Sequence, residues 1–187
     1  LSDASGEVEI WTAPANGTEQ PTQVTSGNDV LRWDAVPSPD GKFIAHHDKK
    51  LRLWVYDAAK KTSSQIDQSD IDDFADMTWS ADSRYLAYTT YAPNTFKIVK
   101  IWSVQTGKTQ AVTTDRFDSF APAFSGDGQW LYLLSDRELK TVVESPWGSN
   151  APDPFLDKTT KVYQIALRPG LRSPFQPNDE LFAARQK

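Results

Sequence analysis

The chain contains no cysteine, which removes disulfide bonds and thiolate metal sites but does not fix the redox compartment. It has two histidines, adjacent at His46 and His47, so a Ser-His-carboxylate triad has little to be built from, and no G-x-S-x-G elbow is present. Phosphate-binding loops and dinucleotide fingerprints are missing as well, and no cofactor is expected. No apolar run is long enough to span a membrane. Mean hydropathy is -0.55 with 39% hydrophobic residues, the balance of a globular domain with one sizeable core. The 20 Lys and Arg against 25 Asp and Glu leave a net charge of -5. These cations are scattered instead of blocked, which argues against a nucleic-acid surface. Leu1 opens directly on a polar turn with no secretory signal, so the chain reads as a piece of a longer protein.

What is present points to β-structure. Twelve prolines, nine glycines and 12% aromatics, seven of them Trp, favour a turn-rich all-β fold. A Ser-x-Asp-Gly/Ser turn followed by a dense apolar run occurs three times, with Asp40, Asp82 and Asp127 spaced 42 and then 45 residues apart. Self-similarity at that period signals a repeat architecture. The runs superpose as Phe43, Tyr85 and Trp130; Ile44, Leu86 and Leu131; Ala45, Ala87 and Tyr132; and His46, Tyr88 and Leu133. They are apolar at successive positions, so both faces of each strand must be covered. A second mark, Ile10-Trp11, Leu53-Trp54 and Ile101-Trp102, with Val162-Tyr163 as an altered copy, is read as the same strand in each repeat.

Four strands per repeat is a propeller blade. The expected architecture is all-β, a partial β-propeller of about three four-stranded antiparallel blades. Residues 1-26 form the second half of a blade, with Asn16-Gly17 as a hairpin signal. Residues 27-69 and 70-114 are full blades, 115-167 is a last blade with an insertion at 137-160, and 168-187 is a linker toward a following domain. The insertion carries Trp147 and Phe155 in Pro-rich surroundings, and loops of that length serve function or packing.

Metal chemistry is disfavoured by geometry. His46, His47 and Asp48 alternate faces on a strand, and His46 occupies a slot held elsewhere by Tyr88 and Leu133, so a buried, hydrogen-bonded histidine is expected. Asp40, Asp82 and Asp127 each lie alone in a turn without calcium-loop spacing. The remaining candidate site is an inner rim, where the loops entering the first strands carry Asp29 and Arg32, Asp72 and Asp73, and Arg116 and Asp118. Mixed charge there suits peptide termini or side chains; the alternative is an ordinary solvated loop surface.

The Ser-x-Asp repeats resemble propeller repeats of tricorn proteases, prolyl-oligopeptidase-type enzymes and the Tol-system periplasmic propeller. The combination VLRWDAVPSPDGKFIAHHDKKLRLWVYD, YLLSDR, SPWG and KVYQIALRPGLRSPFQPNDE resembles the later blades of the second propeller in bacterial tricorn-like peptidases. That resemblance implies two propellers ahead of a PDZ-like module and a serine nucleophile, with the propellers guarding a passage for peptides. It carries over no catalytic residue, because none of the family's catalytic motifs matches a position here. The implied role is guiding or docking a peptide or unfolded polypeptide, beside the remaining blades and catalytic domain of the parent. A cytoplasmic parent is implied; a signal peptide ahead of it would make it periplasmic. Competing readings are a Tol-type interaction propeller and the propeller of a prolyl-oligopeptidase-type enzyme. Uncovered blade faces at both ends predict that the fragment self-associates.

Overall fold

The Ser-x-Asp turns fold as one device used three times. In the computed structural model, which describes residues 1–27, 29–138 and 158–178, Ser38 Oγ donates to Asp40 Oδ1 (2.7 Å) and accepts from Phe43 N (3.0 Å). Asp40 Oδ1 also accepts from Lys42 N at 3.1 Å. The same three bonds tie Ser80, Asp82, Arg84 and Tyr85 at 2.7, 3.0 and 3.1 Å, and Ser125, Asp127, Gln129 and Trp130 at 2.5, 2.9 and 3.0 Å. Every partner lies within five residues, so the turn is dictated locally. The residue after the Asp is left-handed each time, with φ 70° at Gly41, 59° at Ser83 and 66° at Gly128.

Each turn joins two strands of an antiparallel sheet. The first full blade is β3 (Arg32–Pro37), β4 (Phe43–Asp48), β5 (Arg52–Asp57) and β6 (Thr62–Gln68), in that order across the sheet. The second repeats it with β7 (Ala75–Trp79), β8 (Tyr85–Tyr91), β9 (Lys97–Ser103) and β10 (Thr109–Ala111). The third has three strands among the described residues, β11 (Ser119–Phe124), β12 (Trp130–Asp136) and β13 (Thr160–Ala166). Ahead of them, β1 (Trp11–Thr12) and β2 (Thr22–Gln23) form a short antiparallel pair. Among the described residues there is no helix.

Sheets pack face to face. Ala45, Leu53 and Val55 of the first blade meet Phe74, Trp79, Leu86, Tyr88 and Trp102 of the second. Ala87 and Val99 of the second meet Leu131 and Leu133 of the third. Leu53, Leu86, Val99 and Leu131 are completely buried, and each such side chain contributes about 1.5–3 kcal/mol of transfer free energy. Burial pushes the pKa of the Tyr88 phenol above its ordinary value, with Asp67 adding to the effect. The protonated phenol donates to Asp67 Oδ2 (2.7 Å), which Lys100 Nζ shares at 2.8 Å.

Leu53-Trp54, Ile101-Trp102 and Val162-Tyr163 all fall in the third strand of their blades, but register does not set them at one level. Trp54 stands opposite His46 and Tyr163 opposite Leu133, whereas Trp102 stands opposite Leu86, the slot of Ile44. The true counterpart of Leu53-Trp54 in the second blade is Val99-Lys100. The β8–β9 loop is longer than the β4–β5 loop, and strand pairing, not dipeptide identity, sets the alignment.

Candidate functional site

The first strands of the blades share a feature the sequence does not announce. Each breaks register with its neighbour at the same place, between Trp33 and Val36, Ala75 and Thr78, and Phe120 and Ala123. Inside each bulge one residue is left-handed: Asp34 at φ 48°, Asp76 at 53° and Ala121 at 50°. Bulges at barrel and propeller rims re-aim side chains. In the first two blades the residue they expose is a carboxylate, Asp34 or Asp76. Asp76 Oδ2 accepts from Thr89 Oγ1 (2.8 Å) within its blade and from Ala121 N (3.0 Å) in the next. Asp34 and Asp76 sit 42 residues apart, the period of the turn aspartates, and that spacing is the signal by which they were findable.

The six rim residues fall into three local groups. Arg32 contacts Asp29 at 3.5 Å, but its closer partner is the fully buried Glu9 at 2.9 Å. Glu9 also accepts from Thr25 Oγ1 at 2.5 Å. Arg32 therefore ties residues 1–26 to the first blade, and only Asp29 of that pair is left at the surface. Asp73 accepts from Phe74 N (2.8 Å) and meets His47 Nδ1 at 2.5 Å, while Asp72 caps Asp73 N at 2.8 Å. The other nitrogen of His47 lies 3.2 Å from Asp34 Oδ2. The imidazole thus bridges two blades through two carboxylates. Asp118 Oδ1 accepts from Lys97 N (2.8 Å), and its carbonyl accepts from Ser135 Oγ (2.6 Å). Arg116 is exposed beside it. Trp147 and Phe155 lie outside the described residues.

His46 departs from expectation in one respect. It is buried, 2% exposed, and stacked on Trp54 with 10° between the ring planes, yet neither ring nitrogen has a hydrogen-bond partner. Desolvation, with the Arg32 charge second, lowers its pKa to about 4, so the ring is neutral at pH 7. Its neighbour His47 takes the polar role instead, because strand alternation turns it to the other face. Among the described residues, no group of three or more His, Asp or Glu is arranged to hold a metal ion.

These features define successive antiparallel blades with bulged first strands, the construction of a β-propeller segment. More narrowly, the chain belongs to the family of the second β-propeller domain of tricorn protease, whose family model matches residues 1–187. A putative tricorn-like protease C-terminal subunit from Sulfurisphaera tokodaii is 35% identical over 105 residues, covering 54% of this chain and 12% of that protein. The solved tricorn protease superposes with TM-score 0.73 at 22% identity over 84% of this chain and 15% of the other. TolB from Acinetobacter baumannii superposes with TM-score 0.56 at 18% identity over 87% of this chain and 36% of the other. The two structural likenesses show the fold alone. The chain spans about one eighth of the length of the Sulfurisphaera relative.

Proposed function

We propose that this segment is a non-catalytic part of a tricorn-like serine peptidase that guides or docks peptide substrates toward a catalytic domain elsewhere in the parent. The observation that carries the reading is the match of residues 1–187 to the tricorn propeller domain. The exposed edge supports it chemically. Asp34, Asp72 and Asp76 are exposed carboxylates on or beside the first strands, with Arg116 as an exposed cation on the same rim. Such groups hold peptide termini and charged side chains weakly and reversibly, and weak binding is what transit requires. The remaining blades and the catalytic domain of the parent are the implied partners.

The test is made in the intact peptidase that contains this propeller. Charge reversal at Asp72→Lys with Arg116→Glu should shift KM for long peptides by about threefold or more at low salt and leave a short fluorogenic substrate unaffected. Unchanged kinetics for both substrate lengths would remove the passage role. That result would favour an interaction propeller of the Tol type.

A further inference from the structure

Two wedges between neighbouring blades are built on equivalent positions but filled differently. On the turn-bearing side, the wedge between the first and second blades is lined by Phe43, Val55, Trp102 and Val104. Its counterpart between the second and third blades is lined by Tyr85, Ile101, Phe124 and Leu167. Register equates these slots: Asp57, Ser103 and Ala166 pair with Phe43, Tyr85 and Trp130. The slot of Trp102 therefore holds Ile165 in the third blade, and the slot of Trp79, paired with Leu86, holds Phe124, paired with Leu131.

Two indoles thus occupy the first wedge, in edge-to-face contact at 6.3 Å, with Trp79 also stacked on Phe43 at 5.9 Å. The residual cavity there is 140 Å³. In the second wedge Phe and Ile replace both indoles, the cavity is 380 Å³, and Tyr85 remains 36% exposed. The opening has an apolar floor and a charged rim. Arg84 is committed to Asp82 at 2.7 Å. Arg168 is exposed and, among the described residues, has no hydrogen bond or ion pair within 4 Å, although its charge helps hold the Asp127 carboxyl below the ordinary range after the Ser125 and Gln129 bonds.

We propose that this second wedge is a docking pocket for one aromatic side chain of a partner polypeptide, with an adjacent carboxylate taken by Arg168. The template for the occupant is inside the protein: the equivalent space next door is closed by indole rings. Aromatic side chains supply large contact area at low entropic cost, and an arginine at the rim selects an acidic neighbour. The pocket lies at the far end of β11 from Asp118, so it stands apart from the passage role and does not depend on it.

The test uses the 187-residue chain and two probes, N-acetyl-tryptophan and its uncharged amide, followed by saturation-transfer NMR. N-acetyl-tryptophan should bind saturably and about three- to tenfold more tightly than the amide, and Arg168→Glu should erase that preference. Phe124→Trp with Ile165→Trp, which rebuilds the filling of the first wedge, should abolish binding of both probes and raise the melting temperature. If that double variant does not fold, Tyr85→Ala gives the same readout through lost probe binding. No saturable binding, no preference for the carboxylate, or binding that survives the filled or Tyr85→Ala variant would each overturn the proposal.

Discussion

Ser83 offers a quantitative test of how neighbouring blades are tied. It occupies the left-handed turn position held by Gly41 and Gly128 in the other copies, where an L-residue costs about 1–2 kcal/mol relative to glycine. Its hydroxyl accepts from Asp40 N of the preceding turn at 3.1 Å, and a part-buried bond of this kind contributes about 0.5–1.5 kcal/mol. The two effects oppose each other. Ser83→Gly relieves the backbone and removes the bond, so its stability should stay within about 0.5 kcal/mol of the parent, given those two magnitudes. Ser83→Ala keeps the strained φ and loses the bond, and should be destabilised by about 1 kcal/mol, or about 2–4 °C in melting temperature for a chain of this size. Urea unfolding of the three proteins in parallel, with equal m-values, measures the difference. An alanine variant as stable as the parent, or one indistinguishable from glycine, would refute the idea that the hydroxyl compensates the left-handed backbone.

Stability should depend on pH in two separable windows. The His46 pKa is lowered to about 4, so the unfolded chain takes up its proton first. That contribution is fully present above about pH 6.5, the unfolded value, and is lost as pH falls toward 4. His46→Leu, the residue type found at Leu133, should flatten the urea midpoint across that window; an unchanged slope would contradict it. Below it, the Ser38 hydrogen bond and then the Lys42 backbone bond hold the Asp40 carboxyl at about 2. Stability from that turn is present above about pH 4 and lost as pH falls toward 2, and Ser38→Ala should move this loss to higher pH in a circular-dichroism acid titration. The isolated fragment should also self-associate. Leu53 and Val99 are fully buried under a following blade, while Val162 in the same slot is 69% exposed. Val162→Lys should lower the apparent mass in light scattering at high concentration, and a monomeric parent chain at that concentration would count against the expectation.

Much of the fold was legible because the turn chemistry is short-ranged. Ser38, Ser80 and Ser125 bond only to residues within five positions, and within the runs after them Ala45, His46, Leu86, Ala87, Tyr88, Leu131 and Leu133 are buried. Other features were not legible for equally physical reasons. The Ile101-Trp102 pair imitates Leu53-Trp54, but loop length between β8 and β9 slides it two residues along the strand. His46 was readable as buried, yet its lack of partners depends on Trp54 and Arg32, which come from neighbouring strands. Arg32 and Asp29 sit together as their spacing suggests, but Glu9, far off in sequence, is what fixes Arg32.

By itself, then, the sequence determined the repeat, the position of each turn and the all-β class, since hydrogen bonds among a few adjacent residues and runs of buried side chains are properties of local chain segments. Tertiary structure alone decided how the first-strand aspartates are partnered across blades, which wedge is filled and which is open. Those outcomes depend on volumes and charges contributed by two sheets at once, and no single repeat contains both surfaces.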